Sequence, residues 1–209
     1  MLQKRLLKSL LIVLAITPVL TACNAQPKDV KDGDIIFQET SGGQGKAIQI
    51  ATHSKYSHCG IIYMVDGKPY VYEAVQPVKM TPLDKWIARG DEEHYVIKRL
   101  KNASTVLTPD VLKKMKAAGE PFKGKDYDIY FGWGDNDLYC SELVWKIYKR
   151  GAGIEVGKPQ KLASFDLSNP IVQQKLAERY GSSIPYEEQV ISPAAIFESD
   201  KLELVDQHL

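Results

Sequence analysis

The sequence predicts an α+β domain in which an antiparallel sheet packs against helices. Two kinds of local signal carry that expectation. The first is a hairpin: His58–Val65 and Lys68–Val75 are rich in Ile, Val and Tyr, and Asp66-Gly67 separates them. That dipeptide is a strong two-residue turn signal. The second is a set of helix starts in which a capping residue precedes proline, as in Thr108-Pro109 and Asn169-Pro170. Strands and helices mixed in this way fit a layered α+β domain.

In chain order, Asp34–Gln38 contains the apolar run Ile35-Ile36-Phe37 and reads as a first strand. Residues 41–46, Ser-Gly-Gly-Gln-Gly-Lys, read as a loop into a helix around Ala47–Thr52. They are not a phosphate-binding loop: Thr40 stands where the first glycine belongs, and Ala47 replaces the Ser or Thr. The hairpin follows. Thr81-Pro82 and Thr108-Pro109 are expected to open helices, the second running to about Ala118 with Gly119 as its stop. Tyr95–Leu100 and Tyr127–Phe131 are expected strands, and Cys140–Arg150 a helix closed by Gly151. Asn169-Pro170 opens another helix that ends at Gly181, and Val190–Val205 supplies a strand, a short helix and a last strand.

Composition bounds the function. The chain has 209 residues, 44% hydrophobic and 25% charged, enough for one domain with a real core. Such an average composition excludes collagenous, disordered, coiled-coil and disulfide-stapled classes. Its 27 basic and 26 acidic residues give no electrostatic case for nucleic acid as a partner. A mean hydropathy of -0.25 excludes a multi-pass membrane protein.

The first residues read as an address. Residues 1–22 carry Lys4, Arg5 and Lys8 without an acid, then an apolar stretch too short to span a bilayer comfortably. Leu20-Thr21-Ala22-Cys23 resembles the bacterial lipobox. That resemblance implies a signal peptide over 1–22, a lipid on Cys23, a tether over 23–31 and a folded domain over 32–209. The mature chain would then have 187 residues and a formal charge of −2. Asn24 in place of Asp after the cysteine suggests the outer membrane, facing the periplasm. A plain secretory signal cut after Ala22 is the alternative.

The hairpin carries chemistry. With a two-residue turn, paired residues sum to 133, so Gly60 faces Glu73. His58 and Glu73 then share one face as diagonal neighbours, with backbones roughly 7–8 Å apart. A carboxylate on one imidazole nitrogen fixes the tautomer and leaves the other as a base. A half-buried ion pair on a sheet is the plainer alternative. Cys140 heads a helix whose positions 140, 143, 144, 147, 148 and 151 share one face. A helix N-terminus favours a thiolate and offers amides to a developing oxyanion. Cys59 alternates with His58, points to the other face and reads as core. Opposite faces argue against a Cys59–Cys140 disulfide. Ser141 lies off the tip, and Glu142 serves the first helical turn. Tyr56, Trp133 and Tyr139 flank the site in sequence and are weak candidates for substrate contact. His53, His94 and His208 show no zinc-type spacing with cysteine, so no metal is expected.

Gly33-Asp34-Ile35-Ile36-Phe37, then residues 54–61 (Ser-Lys-Tyr-Ser-His-Cys-Gly-Ile), Tyr72-Glu73-Ala74 and residues 139–144 (Tyr-Cys-Ser-Glu-Leu-Val) together resemble the circularly permuted papain-like amidases of the NlpC type. Tyr127-Asp128 and Ser192-Pro193 also fit, and the likeness spans about Asp32 to Val205. The resemblance implies a permuted papain-like fold, with Cys140 as nucleophile, His58 as general base and Glu73 as orienting acid. Cys59 departs from the aliphatic residue more usual there. The implied activity is a membrane-tethered cysteine amidase or peptidase that forms a thioester and needs no cofactor. Its substrate would be an amide- or ester-containing small molecule or peptide. A lipid thioesterase or acyltransferase with the same residues, and a non-catalytic binding lipoprotein, are the alternatives.

Overall fold

The Asp66-Gly67 turn sets the register of the two strands it joins. In the computed structural model, which describes residues 27–209, β2 (His58–Val65) pairs with β3 (Lys68–Glu73) from Val65↔Lys68 to Ile61↔Tyr72. β1 (Ile35–Gln38) lies on the other side of β2, and β4 (Lys79–Pro82) pairs with β3. β5 (Tyr95–Leu100) and β8 (Leu202–His208) complete an antiparallel sheet of order β4-β3-β2-β1-β5-β8. A second ladder joins β6 (Gln160–Lys161) to β7 (Gln189–Val190).

Strand alternation divides the core. Phe37, Cys59, Ile61 and Tyr72 face the larger cluster, with Met115, Leu143, Val144 and Ile147. These last belong to α4 (Pro109–Gly119) and α5 (Cys140–Ile147). Ile36, Ile62 and Val71 face the smaller cluster, with Leu83 and Trp86 of α2 (Leu83–Ile87). The remaining helices are α1 (Gly43–Thr52), α3 (Ala103–Val106), α6 (Pro170–Tyr180) and α7 (Pro193–Phe197). Thr108 and Asn169 cap α4 and α6 through their side chains, each with proline following.

Several boundaries differ from the sequence expectation. Thr81-Pro82 ends an edge strand, since Val71↔Thr81 and Glu73↔Lys79 pair with β3, and the helix expected there, α2, starts one residue later at Leu83 with Pro82 as N-cap. Tyr127–Phe131 is loop, held to the following chain by a single bridge from Tyr127 to Leu138. α1 begins at Gly43, inside the segment read as a loop. α5 passes at Tyr148 into a π-turn, and Gly151 does not stop it. A Cβ on Gly151 would strike the Met115 backbone, so this glycine serves the close approach of α4. α5 is also buried on more than its apolar face, since Ser141, Glu142 and Lys146 lie in the interior.

The chain before β1 is held to the sheet at Lys28–Lys31. Arg99 on β5 bonds Asp29 and Asp34, and the Lys28 N–H donates to Asp206. Cys23 and the signal segment lie outside the described residues. Among the described residues, no helix is long and apolar enough to cross a membrane.

Candidate active site

The three candidate side chains come from the ends of three elements. His58 is the first residue of β2, Glu73 the last of β3 and Cys140 the first of α5. Nothing but hydrogen fits at Gly60, where a Cβ would strike Val71 and approach the Glu73 Cβ to 3.3 Å. This allows the diagonal contact, and His58 Nε2 lies 2.6 Å from Glu73 Oε2. Nδ1 is thereby left for the thiol, and the ring interacts with Cys140. Trp86 stacks near the imidazole, with centroids 5.8 Å apart and planes at 24°.

Glu73 is fully buried yet well supplied with donors. Thr81 Oγ1 donates to Oε1 at 2.6 Å, and Trp86 Nε1 and Arg89 donate to Oε2 at 2.9 and 2.5 Å. Burial alone would raise its pKa, but His58 and Arg89 outweigh that and hold it down to about 2. Burial would likewise lower His58, whereas the Cys140 thiolate and Glu73 push it up to about 9. Hydrogen bonding from Cys59 and the charge on His58, against the effect of burial, hold the Cys140 thiol well below its ordinary pKa. These directions favour a thiolate on Cys140 paired with an imidazolium on His58, with a carboxylate behind the ring.

Cys59 is the buried core residue the sequence predicts, and the structure adds a neighbour to it. It does lie on the face opposite His58, but α5 packs on that Cys59 face, so the two cysteines are neighbours. The β2–β3 ladder ends at Ile61↔Tyr72, and the α5 tip sits where it ends. From there Cys140 meets the His58 ring, the Cys59 thiol and the Cys59 backbone N–H. Both cysteines are free thiols. Strand alternation could not reveal this, because a helix at a strand end touches both faces.

Sequence reasoning missed Thr81, Trp86 and Arg89, which lie apart from both motif blocks and meet only around Glu73. Of the weak candidates, Tyr139 lines the cavity beside Cys140, and its hydroxyl accepts from the Ile191 N–H at 3.1 Å. Tyr56 instead packs between Phe37 and Phe197, and Trp133 packs on Trp145. Neither lines that cavity. Ser141 Oγ donates to the Ile191 carbonyl at 2.7 Å, away from the chemistry. Glu142 accepts from the Tyr139 N–H at the helix start and lies 2.6 Å from Lys146 Nζ. Lys146 also binds Asp135 and the Gly134 carbonyl, which fixes the loop over residues 132–137 to α5.

The cavity beside Cys140 measures about 690 Å³ including its mouth. Ala47, Leu162, Val172, Leu176 and Val190 make its wall apolar, with Lys175 and Arg179 also on the lining. Arg179 donates to Gln44 Oε1, and Gln44 Nε2 donates to the Tyr127 hydroxyl, each at 2.9 Å. This network and the wall come from segments far apart in sequence.

Residues 29–206 match the model of a family described as permuted papain-like amidase enzyme, YaeF/YiiX, C92 family. The chain is 46% identical over 199 residues to the uncharacterized protein YiiX of Escherichia coli (strain K12), covering 95% of this chain and 96% of that one. It is also similar to the crystal structure reported as metalloprotein yiiX from Escherichia coli O157:H7. There the TM-score is 0.82 at 49% identity, over 88% of this chain and 98% of that one. Among the described residues of the present chain, no three His, Cys, Asp or Glu side chains are grouped to hold a metal ion.

Proposed function

The chain belongs to the permuted papain-like amidase family and is a cysteine hydrolase, and we propose that it cleaves amide bonds of peptides or cell-wall peptides in the bacterial envelope, tethered through a lipid on Cys23. The observation that carries the chemistry is Cys140 at a helix tip, against His58, with Glu73 at 2.6 Å behind the ring. The thiolate attacks the carbonyl carbon. The Cys140 N–H, at a helix start where amides lack intrahelical partners, donates to the oxyanion. His58 gives its proton to the leaving amine, and water then attacks the thioester with His58 as base. Glu73 keeps the ring aligned and stabilises its charge. Cys140→Ala should abolish turnover of envelope peptides that wild type cleaves; retained turnover would remove the cysteine mechanism. Labelling with radioactive palmitate, lost in Cys23→Ala, tests the tether.

One observation favours a second reading, a lipid thioesterase or acyltransferase with the same residues. The cavity at Cys140 presents almost wholly apolar wall, which suits an acyl chain at about 0.8 kcal/mol per buried methylene. Leu176→Trp should then slow acylation by long-chain p-nitrophenyl esters and spare p-nitrophenyl acetate. Equal effects on both would favour the peptide reading.

A further inference from the structure

Hydrolysis leaves one reactive group at the site unused. Cys59 is fully buried and Cys140 nearly so, at 0% and 2% exposure. Both are free thiols. Their positions are unequal: Cys140 lines the open cavity, and Cys59 does not. Cys59 lies on the face of β2 against which α5 packs, in the same buried cluster as Cys140, and its thiol and backbone N–H interact with the Cys140 sulfur. An oxidant entering the cavity therefore meets Cys140 first, with the second thiol behind it in the same buried cluster.

We infer that Cys59 and Cys140 form a redox modification site, in which a hydroperoxide oxidises Cys140 and Cys59 closes a reversible disulfide onto it. The inference rests on Cys140 being the reactive thiolate of the hydrolase. The Cys140 thiolate attacks the terminal peroxide oxygen. An S–O bond forms and the O–O bond breaks. The sulfur loses two electrons to the peroxide, and the departing hydroxide or alkoxide takes a proton. Cys59 then attacks the Cys140 sulfenic acid. The S–S bond forms, the S–O bond breaks, and the hydroxyl leaves as water with the Cys59 proton. No second oxidant is consumed. A dithiol returns both thiols and becomes a disulfide itself.

The local electrostatics set the order of events. Burial and the adjacent Cys140 thiolate keep Cys59 protonated. Oxidation of Cys140 removes that negative charge, so Cys59 becomes easier to ionise only once there is a sulfenic acid to attack. The disulfide takes the nucleophile out of the reaction and shields it from sulfinic acid, the first irreversible step of cysteine oxidation.

The test uses the full chain, with Cys23 followed separately in the peptide map. Hydrogen peroxide should remove two hydrogen masses, yield a linked Cys59–Cys140 peptide and abolish the p-nitrophenyl acetate burst. Dithiothreitol should restore that burst. In Cys59→Ala, peroxide should instead add two or three oxygen masses to Cys140, and dithiothreitol should not restore the burst. Wild type gaining those oxygens on Cys140 with Cys59 still free would overturn the proposal, and that result needs no variant. Reactivation of Cys59→Ala as complete as that of wild type would also overturn it. Normal burst and alkylation at Cys140 without a linked peptide sinks this inference alone. No burst and no preferential alkylation of Cys140 sinks the hydrolase mechanism with it.

Discussion

Glu73 offers a sharp separation of chemistry from stability, through Glu73→Gln against Glu73→Ala. Its Oε2 receives only donors, from His58, Trp86 and Arg89, while Oε1 faces the Thr81 hydroxyl. A glutamine can keep its carbonyl at the Oε2 position and turn its amide to Thr81, whose hydroxyl can accept instead. Geometry survives and charge is lost. Charge-assisted hydrogen bonds contribute about 1.5–3 kcal/mol and neutral ones about 0.5–1.5 kcal/mol. The difference of about 1–2 kcal/mol predicts acylation by p-nitrophenyl acetate slowed roughly 5–30-fold, with little change in melting. Alanine strands the donors instead. Arg89 is 39% exposed and can rehydrate, but the fully buried Trp86 cannot. Glu73→Ala should therefore lose about 3–5 kcal/mol of stability as well as activity. A wild-type acylation rate in Glu73→Gln, or an alanine variant that melts with the glutamine variant, would refute this account of the carboxylate.

Three further outcomes follow from the same geometry. His58, with its pKa raised to about 9, contributes stability fully present below pH about 6.5 and lost as pH rises through about 9. Amide turnover should fall over the same upper limb, and NMR titration of Cys140→Ala should place the imidazole pKa below that of wild type, because the thiolate is gone. Glu142 is pushed up to about 8, chiefly by burial, so its contribution to stability is present below about pH 4.5 and lost as pH rises through about 8. Denaturant melts of Glu142→Gln should lack that decline; an unchanged slope would show that Glu142 is not its source. Gly60→Ala should cost about 1–3 kcal/mol and depress acylation, since the new methyl drives β2 from Val71 and with it His58 from Glu73. Parallel calorimetry and burst kinetics check both losses.

The hairpin and the α5 tip were legible in the sequence because each is fixed locally. A two-residue turn and the period of two determine which residues of β2 and β3 share a face, and so place His58 beside Glu73. The pattern 140, 143, 144, 147 determines which way α5 faces. The capping pairs at Thr108 and Asn169 needed nothing beyond neighbouring residues. Thr81-Pro82 carries the same local signal and does precede a helix, but β3 also offered it a ladder, so α2 starts one residue late with Pro82 as N-cap.

Tertiary packing decided the rest. Alternation separates Cys59 from His58 but is silent on which face receives α5, and that choice made the two cysteines neighbours. The donors around Glu73, the Arg179–Gln44–Tyr127 network and the apolar wall at Cys140 each join segments with no local relation. Sequence by itself determined the order His, Glu, Cys and the elements that carry them. Only packing determined what surrounds them, because burial and pairing depend on chain segments whose spacing in sequence carries no trace of their contact.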